Sequence, residues 1–119
     1  MLISEGSKPA IMIHVNEKFG GENILDQICH GIEEEGIPYE VKVVNGRDHI
    51  AMAYEACQTS RLGVGIGITE GYIALHYEKL EAESPLFCIS THEDMEKIRS
   101  MGTNGARLVK RMPFKNLRE

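Results

Sequence analysis

The chain has 119 residues, 42% of them apolar and 26% charged, so a single soluble domain over residues 1–119 is expected. Its formal net charge of -5 runs against a general nucleic-acid binder, which needs a basic surface to displace counterions from phosphates. No stretch approaches the roughly 20 apolar residues that span a bilayer. Residues 1–9 lack a basic patch followed by an apolar run, so no signal peptide is expected and the chain reads as cytoplasmic.

Residues 10–15 form a short, mostly β-branched apolar run, which predicts a first strand buried on both faces. A turn-rich loop, 16–21, leads to a helix predicted over 22–35. Ile24, Leu25, Ile28 and Ile32 recur at three- and four-residue spacing and form its apolar stripe. Gly36 and Pro38 supply the stop. A second strand is predicted over 39–44, rich in valine, and Asn45-Gly46 marks a turn. The next helix is expected over 50–60, with Ala51, Tyr54 and Cys57 as its inward side.

Residues 61–69 predict a third strand in which Gly63, Gly65 and Gly67 alternate with Val64, Ile66 and Ile68. Alternate strand residues share a face, so one face is bare backbone that something, most simply a helix, approaches closely. Thr69-Glu70-Gly71 then turns into an apolar run, 72–77, which predicts a hairpin and an antiparallel fourth strand. After a polar connection, 79–85, a short last strand is expected over 86–89. Thr91 and Asp94 resemble a capping box, opening a helix with Met95, Ile98 and Met101 on its apolar side. Gly102 is expected to break that helix, with a separate helical stretch over 104–111 ended by Pro113. Alternation of strands and helices predicts an α/β fold: one three-layer α/β/α domain with a mixed five-stranded sheet carrying one antiparallel strand.

Little here promises catalysis. The glycines lie within a strand followed by another strand, whereas a dinucleotide fingerprint places them in a turn that opens a helix. No phosphate loop is present, so the isolated chain is expected neither to bind nor to hydrolyse ATP. Cys29, Cys57 and Cys88 are odd in number and widely spaced, and read as core thiols rather than a disulfide or zinc framework. His14, His30, His49, His76 and His92 assemble no nucleophile–base set by spacing. A C-terminal basic cluster, Arg107, Lys110, Arg111, Lys115 and Arg118, suits a solvated surface or an acidic partner.

Glu33-Glu34-Glu35 crowd the end of the first helix, where the dipole is unfavourable to carboxylates. At about 100° per residue, Glu34 points some 200° away from Ile32, outward from the core, while Glu35 leans toward the Ile28 direction. An exposed acidic group of this kind suits a solvated helix end, a hard cation or a basic partner.

Four stretches, in this order, give the sequence a family likeness: Gly31-Ile-Glu-Glu-Glu-Gly-Ile-Pro38, Thr59-Ser-Arg-Leu-Gly-Val-Gly-Ile-Gly67, Ser84-Pro-Leu-Phe87, and Gly102-Thr-Asn-Gly-Ala-Arg-Leu-Val-Lys110 followed by Met112-Pro-Phe114. Together they resemble the small subunits of diol and glycerol dehydratase reactivating factors. The resemblance implies a non-catalytic chain that partners a large, actin- and Hsp70-like ATPase subunit. It implies that the complex, acting as a chaperone, expels damaged cobalamin from a coenzyme B12-dependent dehydratase by subunit exchange. It also implies a glutamate that joins a divalent ion such as Mg2+, shared with the large subunit. The matching position is Glu34, with Glu33 the alternative register. The complex would work free in the cytoplasm or associated with a bacterial microcompartment, on a glycerol or propane-1,2-diol client. Two other readings are a medium-subunit-like component of the dehydratase itself and a stand-alone small α/β ligand-binding domain. Extra cobalamin-binding and N-terminal regions would mark the first, and turnover of a small molecule by the chain alone the second.

Overall fold

The computed structural model describes residues 8–117. The elements run β1 (Ile11–Asn16), α1 (Glu22–Glu34), β2 (Tyr39–Val44), α2 (His49–Thr59), β3 (Val64–Ile68), β4 (Tyr72–Tyr77), β5 (Phe87–Ser90) and α3 (Met95–Lys110). The sheet order is β2-β1-β3-β4-β5. β1 pairs parallel to β2 and β3, while β4 is antiparallel to both β3 and β5. This is the mixed sheet with one reversed strand that the 69–71 turn predicts. Thr69 holds that turn, its backbone N–H donating to the Tyr72 carbonyl at 3.0 Å.

The register sorts the side chains by face. Ile13, Ile66 and Leu75 stand in line across β1, β3 and β4, and His14, Gly67 and Ala74 in line on the other face. The first face carries the main core: Ile11, Ile13, Val15, Val64, Ile66, Ile68, Ile73 and Leu75 pack with Ile28 and Ile32 of α1 and with Ile98, Met101 and Ala106 of α3. Each such isoleucine contributes about 1.5–3 kcal/mol by leaving water. The opposite face is covered by α2. A Cβ on Gly65 would strike backbone atoms of Ala53, Ala56 and Cys57, and one on Gly67 the backbone of His49 and Ala53. The bare strand face is therefore the seat of a helix, as its glycine alternation predicts. Gly63 does not belong to it. It precedes β3 at φ 73°, a left-handed conformation that glycine adopts without strain.

Three local expectations are corrected. α2 buries Met52, Ala53, Ala56 and Cys57, not an Ala51–Tyr54–Cys57 side. Alanines let its backbone settle on the glycines, and that contact selects the face. Thr91 is not the cap of α3: its hydroxyl donates to the Glu70 carbonyl at 2.8 Å, and Asp94 accepts from the Lys97 N–H at 2.9 Å. Most consequentially, Gly102 does not break the last helix. α3 runs unbroken from Met95 to Lys110, because Gly102 is where it crosses α1. A Cβ there would meet the carbonyl oxygen of Ile28, and one on Gly31 the carbonyl oxygen of Arg99. The two glycines let the helix backbones touch. Asn104, fully buried within α3, accepts from the Lys115 N–H at 2.7 Å and donates to its carbonyl at 3.1 Å, so the tail folds back on the helix.

Candidate functional site

The close crossing of α1 and α3 brings the acidic end of α1 beneath a row of cations. Arg99, Arg107 and Lys110 share a side of α3 because their offsets of eight and eleven residues return near one helical direction. The three glutamates diverge from there. Glu35 is the inner one, 15% exposed, with Lys110 Nζ at 2.8 Å and Arg107 Nη2 at 3.4 Å. The hydrogen bond from Lys110, supported by Arg107, holds its carboxyl below the usual carboxylate range. Lys110 also donates to the Glu35 carbonyl at 3.0 Å, satisfying a free helix-end acceptor. Glu33 accepts from the Tyr39 hydroxyl at 3.0 Å. Burial, with hydrogen bonds to Cys29 and Glu33, drives that phenol's pKa upward.

Glu34 is the outward one. Its side chain is 58% exposed, and its partner is Arg99 Nη1 at 3.4 Å. Arg99 in turn donates from Nε to Gln27 Oε1 at 2.9 Å, which anchors the guanidinium to α1. Such an exposed pair contributes at most about 1 kcal/mol and is readily exchanged for another partner. Glu34 sits on an open depression of about 510 Å³, shared with Gln27, Met95, Glu96, Arg99 and Lys115. Met95 is 45% exposed and adds an apolar contact beside the carboxylate. The outward direction of Glu34 and the inward lean of Glu35 follow the helical wheel. Arg99 and Gln27 were not foreseen, because reading Gly102 as a break separates Arg99 from Arg107 and Lys110. Continuing the helix through Gly102 would have revealed one basic face.

Elsewhere the chemistry is spoken for. The glycines of β3 are filled by α2 backbone, which leaves no room for a phosphate. Cys29 and Cys57 are buried, and burial raises both thiols, Cys57 to about 11, so they stay protonated at neutral pH. Cys88 is exposed on the edge strand β5 and is not the core thiol that the sequence suggests. His76 is buried, with Nε2 3.0 Å from the Ala82 carbonyl. Arg107 and Lys110 serve Glu35 rather than an outside acid, and Arg118 lies outside the described residues. Among the described residues no three His, Cys, Asp or Glu side chains cluster as a metal set, and no helix is long and apolar enough to cross a membrane.

His14 is an exception to polar satisfaction. It is 5% exposed, and neither ring nitrogen has a hydrogen-bond partner. Burial lowers its pKa, the neighbouring Lys42 adds to this, and Glu55 opposes it. The unfolded chain therefore takes up a proton near pH 6.5 that the folded chain resists. Stability should hold steady above that pH and fall as pH drops below it. Urea melts between pH 7.5 and 5 check this. His14→Leu should flatten the slope in part, the rest belonging to His49, whose pKa burial also lowers.

The sequence model of the dehydratase medium subunit family matches residues 8–115. The chain is 38% identical over 111 residues to the diol dehydratase-reactivating factor small subunit of Klebsiella michiganensis, covering 93% of this chain and 87% of that one. It is 38% identical over 114 residues to the propanediol dehydratase-reactivating factor small subunit of Salmonella typhimurium, covering 96% and 97%. A solved structure of diol dehydratase-reactivating factor complexed with ADP and Mg2+ contains a chain that superposes with a TM-score of 0.86 at 37% identity. The match spans 92% of this chain and all of that one.

Proposed function

Because the chain belongs to the family of dehydratase-reactivating factor small subunits, we propose that it serves, as one domain, as the non-catalytic partner of a large ATPase subunit. The complex releases damaged cobalamin from an inactivated coenzyme B12-dependent diol or glycerol dehydratase. The small subunit leaves during the cycle, and a related subunit of the dehydratase takes its place by exchange. The nucleotide on the large subunit selects the partner through its differential affinity for two states. The observation that carries this reading is the match in identity and fold along nearly the whole chain. The outward Glu34 beside Met95 supports an interface that is small, polar and reversible, since exchange requires one that opens again.

Glu34 fits a shared divalent ion of the Mg2+ type. It is a hard oxygen donor, exposed, and tethered only by a long ion pair to Arg99. One carboxylate fills at most two of six oxygen positions, so the large subunit supplies the rest. Arg99 is then displaced from Glu34 when the ion arrives, while its Nε bond to Gln27 keeps it on α1. The test is titration calorimetry of the chain against its purified large subunit, in Mg2+ and in EDTA. Glu34→Gln should weaken association on the order of tenfold in Mg2+ and change little in EDTA. Glu33→Gln, whose native carboxylate is turned to Tyr39, should be near neutral. Equal affinities of wild type and Glu34→Gln in Mg2+ would return Glu34 to an ordinary surface role. Loss with Glu33→Gln alone would move the ligand by one residue.

A further inference from the structure

α2 carries an apolar stripe that the core does not use. Ala51 and Tyr54 were expected to face inward. Instead they border an open groove of about 410 Å³ with Asp48, Ile50, Glu55, Ala82 and Glu83. The groove lies on the face of the sheet opposite Glu34. Its floor is Ile50, Ala51, Tyr54 and Ala82, and its rim carries three carboxylates and no cation. Asp48 is committed to capping α2 through the Ile50 N–H at 3.0 Å. Glu55 and Glu83 take part in no ion pair among the described residues. Both walls are held by the same buried side chain: His76 bonds the Ala82 carbonyl at 3.0 Å, and its ring lies 5.1 Å from that of Tyr54. The groove is thus preformed, so an occupant does not have to order it.

We propose that this groove docks a basic amphipathic segment of a partner protein, its aliphatic side chains on Ala51 and Tyr54 and its lysines or arginines against Glu55 and Glu83. Charge complementarity selects the occupant. An acidic rim repels an acidic segment, and unpaired carboxylates beside an apolar floor gain most from cations that flank an aliphatic anchor. A second copy of this chain is disfavoured by the net charge of -5 on each. The surface does not involve Glu34, so the chain has contact sites on both sides of its sheet.

The test uses the full chain and a fluorescein-labelled amphipathic helical peptide of leucine and lysine, about twelve residues long, which spans roughly 18 Å. The control peptide has glutamate in place of lysine. Amide shifts on titration should centre on Ile50, Ala51, Tyr54 and Ala82. Ala51→Arg should weaken the lysine peptide on the order of tenfold in anisotropy, and Glu83→Lys about threefold, each a modest loss for one interface residue. Glu17→Lys, outside the groove, should change affinity less than about twofold. All three residues are exposed, and circular dichroism checks that each variant folds. Shifts spread over the acidic surface, equal loss with Glu17→Lys, or unchanged binding by Ala51→Arg would overturn the proposal. So would a dimer in sedimentation that Ala51→Arg dissociates, because a second copy would then own the groove.

Discussion

Gly102→Leu is expected to destabilise the chain by at least about 3 kcal/mol, the upper end of the usual overpacking range. The clash is with backbone: a Cβ at Gly102 meets the carbonyl oxygen and Cα of Ile28, and no rotamer relieves it. α1 and α3 must move apart, which also loosens the contacts of Ile28, Ile32, Ile98 and Met101. The ion pairs of Glu34 and Glu35 span the same crossing and would open with it. Urea unfolding measures the loss. Gly36→Ala is the comparison. Gly36 has φ 77° with open space around it, so alanine should cost only about 1–2 kcal/mol of backbone strain. Gly102 is helical without a positive φ, so a loss for Gly102→Leu no larger than that for Gly36→Ala would show that the two helices part there at little cost and that the close crossing is not what requires glycine.

Asn104→Ala should destabilise by about 2 kcal/mol, since it removes two hydrogen bonds from a fully buried amide. The expected consequence is local as well. Released from Asn104, the tail around Lys115 would swing out and take Phe114 from its edge-on contact with Phe87 at 5.3 Å. Hydrogen exchange at the Lys115 amide should accelerate far more than exchange in α1. Lys115→Ala keeps both backbone bonds and should be within about 0.5 kcal/mol of wild type. If Lys115→Ala matched Asn104→Ala, the lysine side chain rather than the backbone clasp would be holding the tail.

The nature and order of the elements were legible in short windows of sequence. The β-branched run of β1, the three- and four-residue spacing in α1 and the turn at Glu70 each encode a local geometry that needs no distant partner. The alternation of Gly65 and Gly67 even announced a close neighbour, because two bare positions on one strand face leave space that only backbone fills well. The outward set of Glu34 followed from helical angle alone. Other features required the assembled fold. Gly102 as a helix stop and Gly102 as a helix crossing look the same in sequence, and Gly31 and Ile28 of α1, some seventy positions away, decide between them. The buried face of α2 was misread for a related reason. Ala51, Tyr54 and Cys57 have acceptable spacing, but the glycines of β3 accept only the side of the helix where Ala53 and Ala56 bring its backbone closest. Charge pairing was hidden in the same way, since Glu34 finds Arg99 and Glu35 finds Lys110 only once two helices cross. Local chemistry sets what each segment becomes, and contacts between remote backbones decide what its glycines and charges are for.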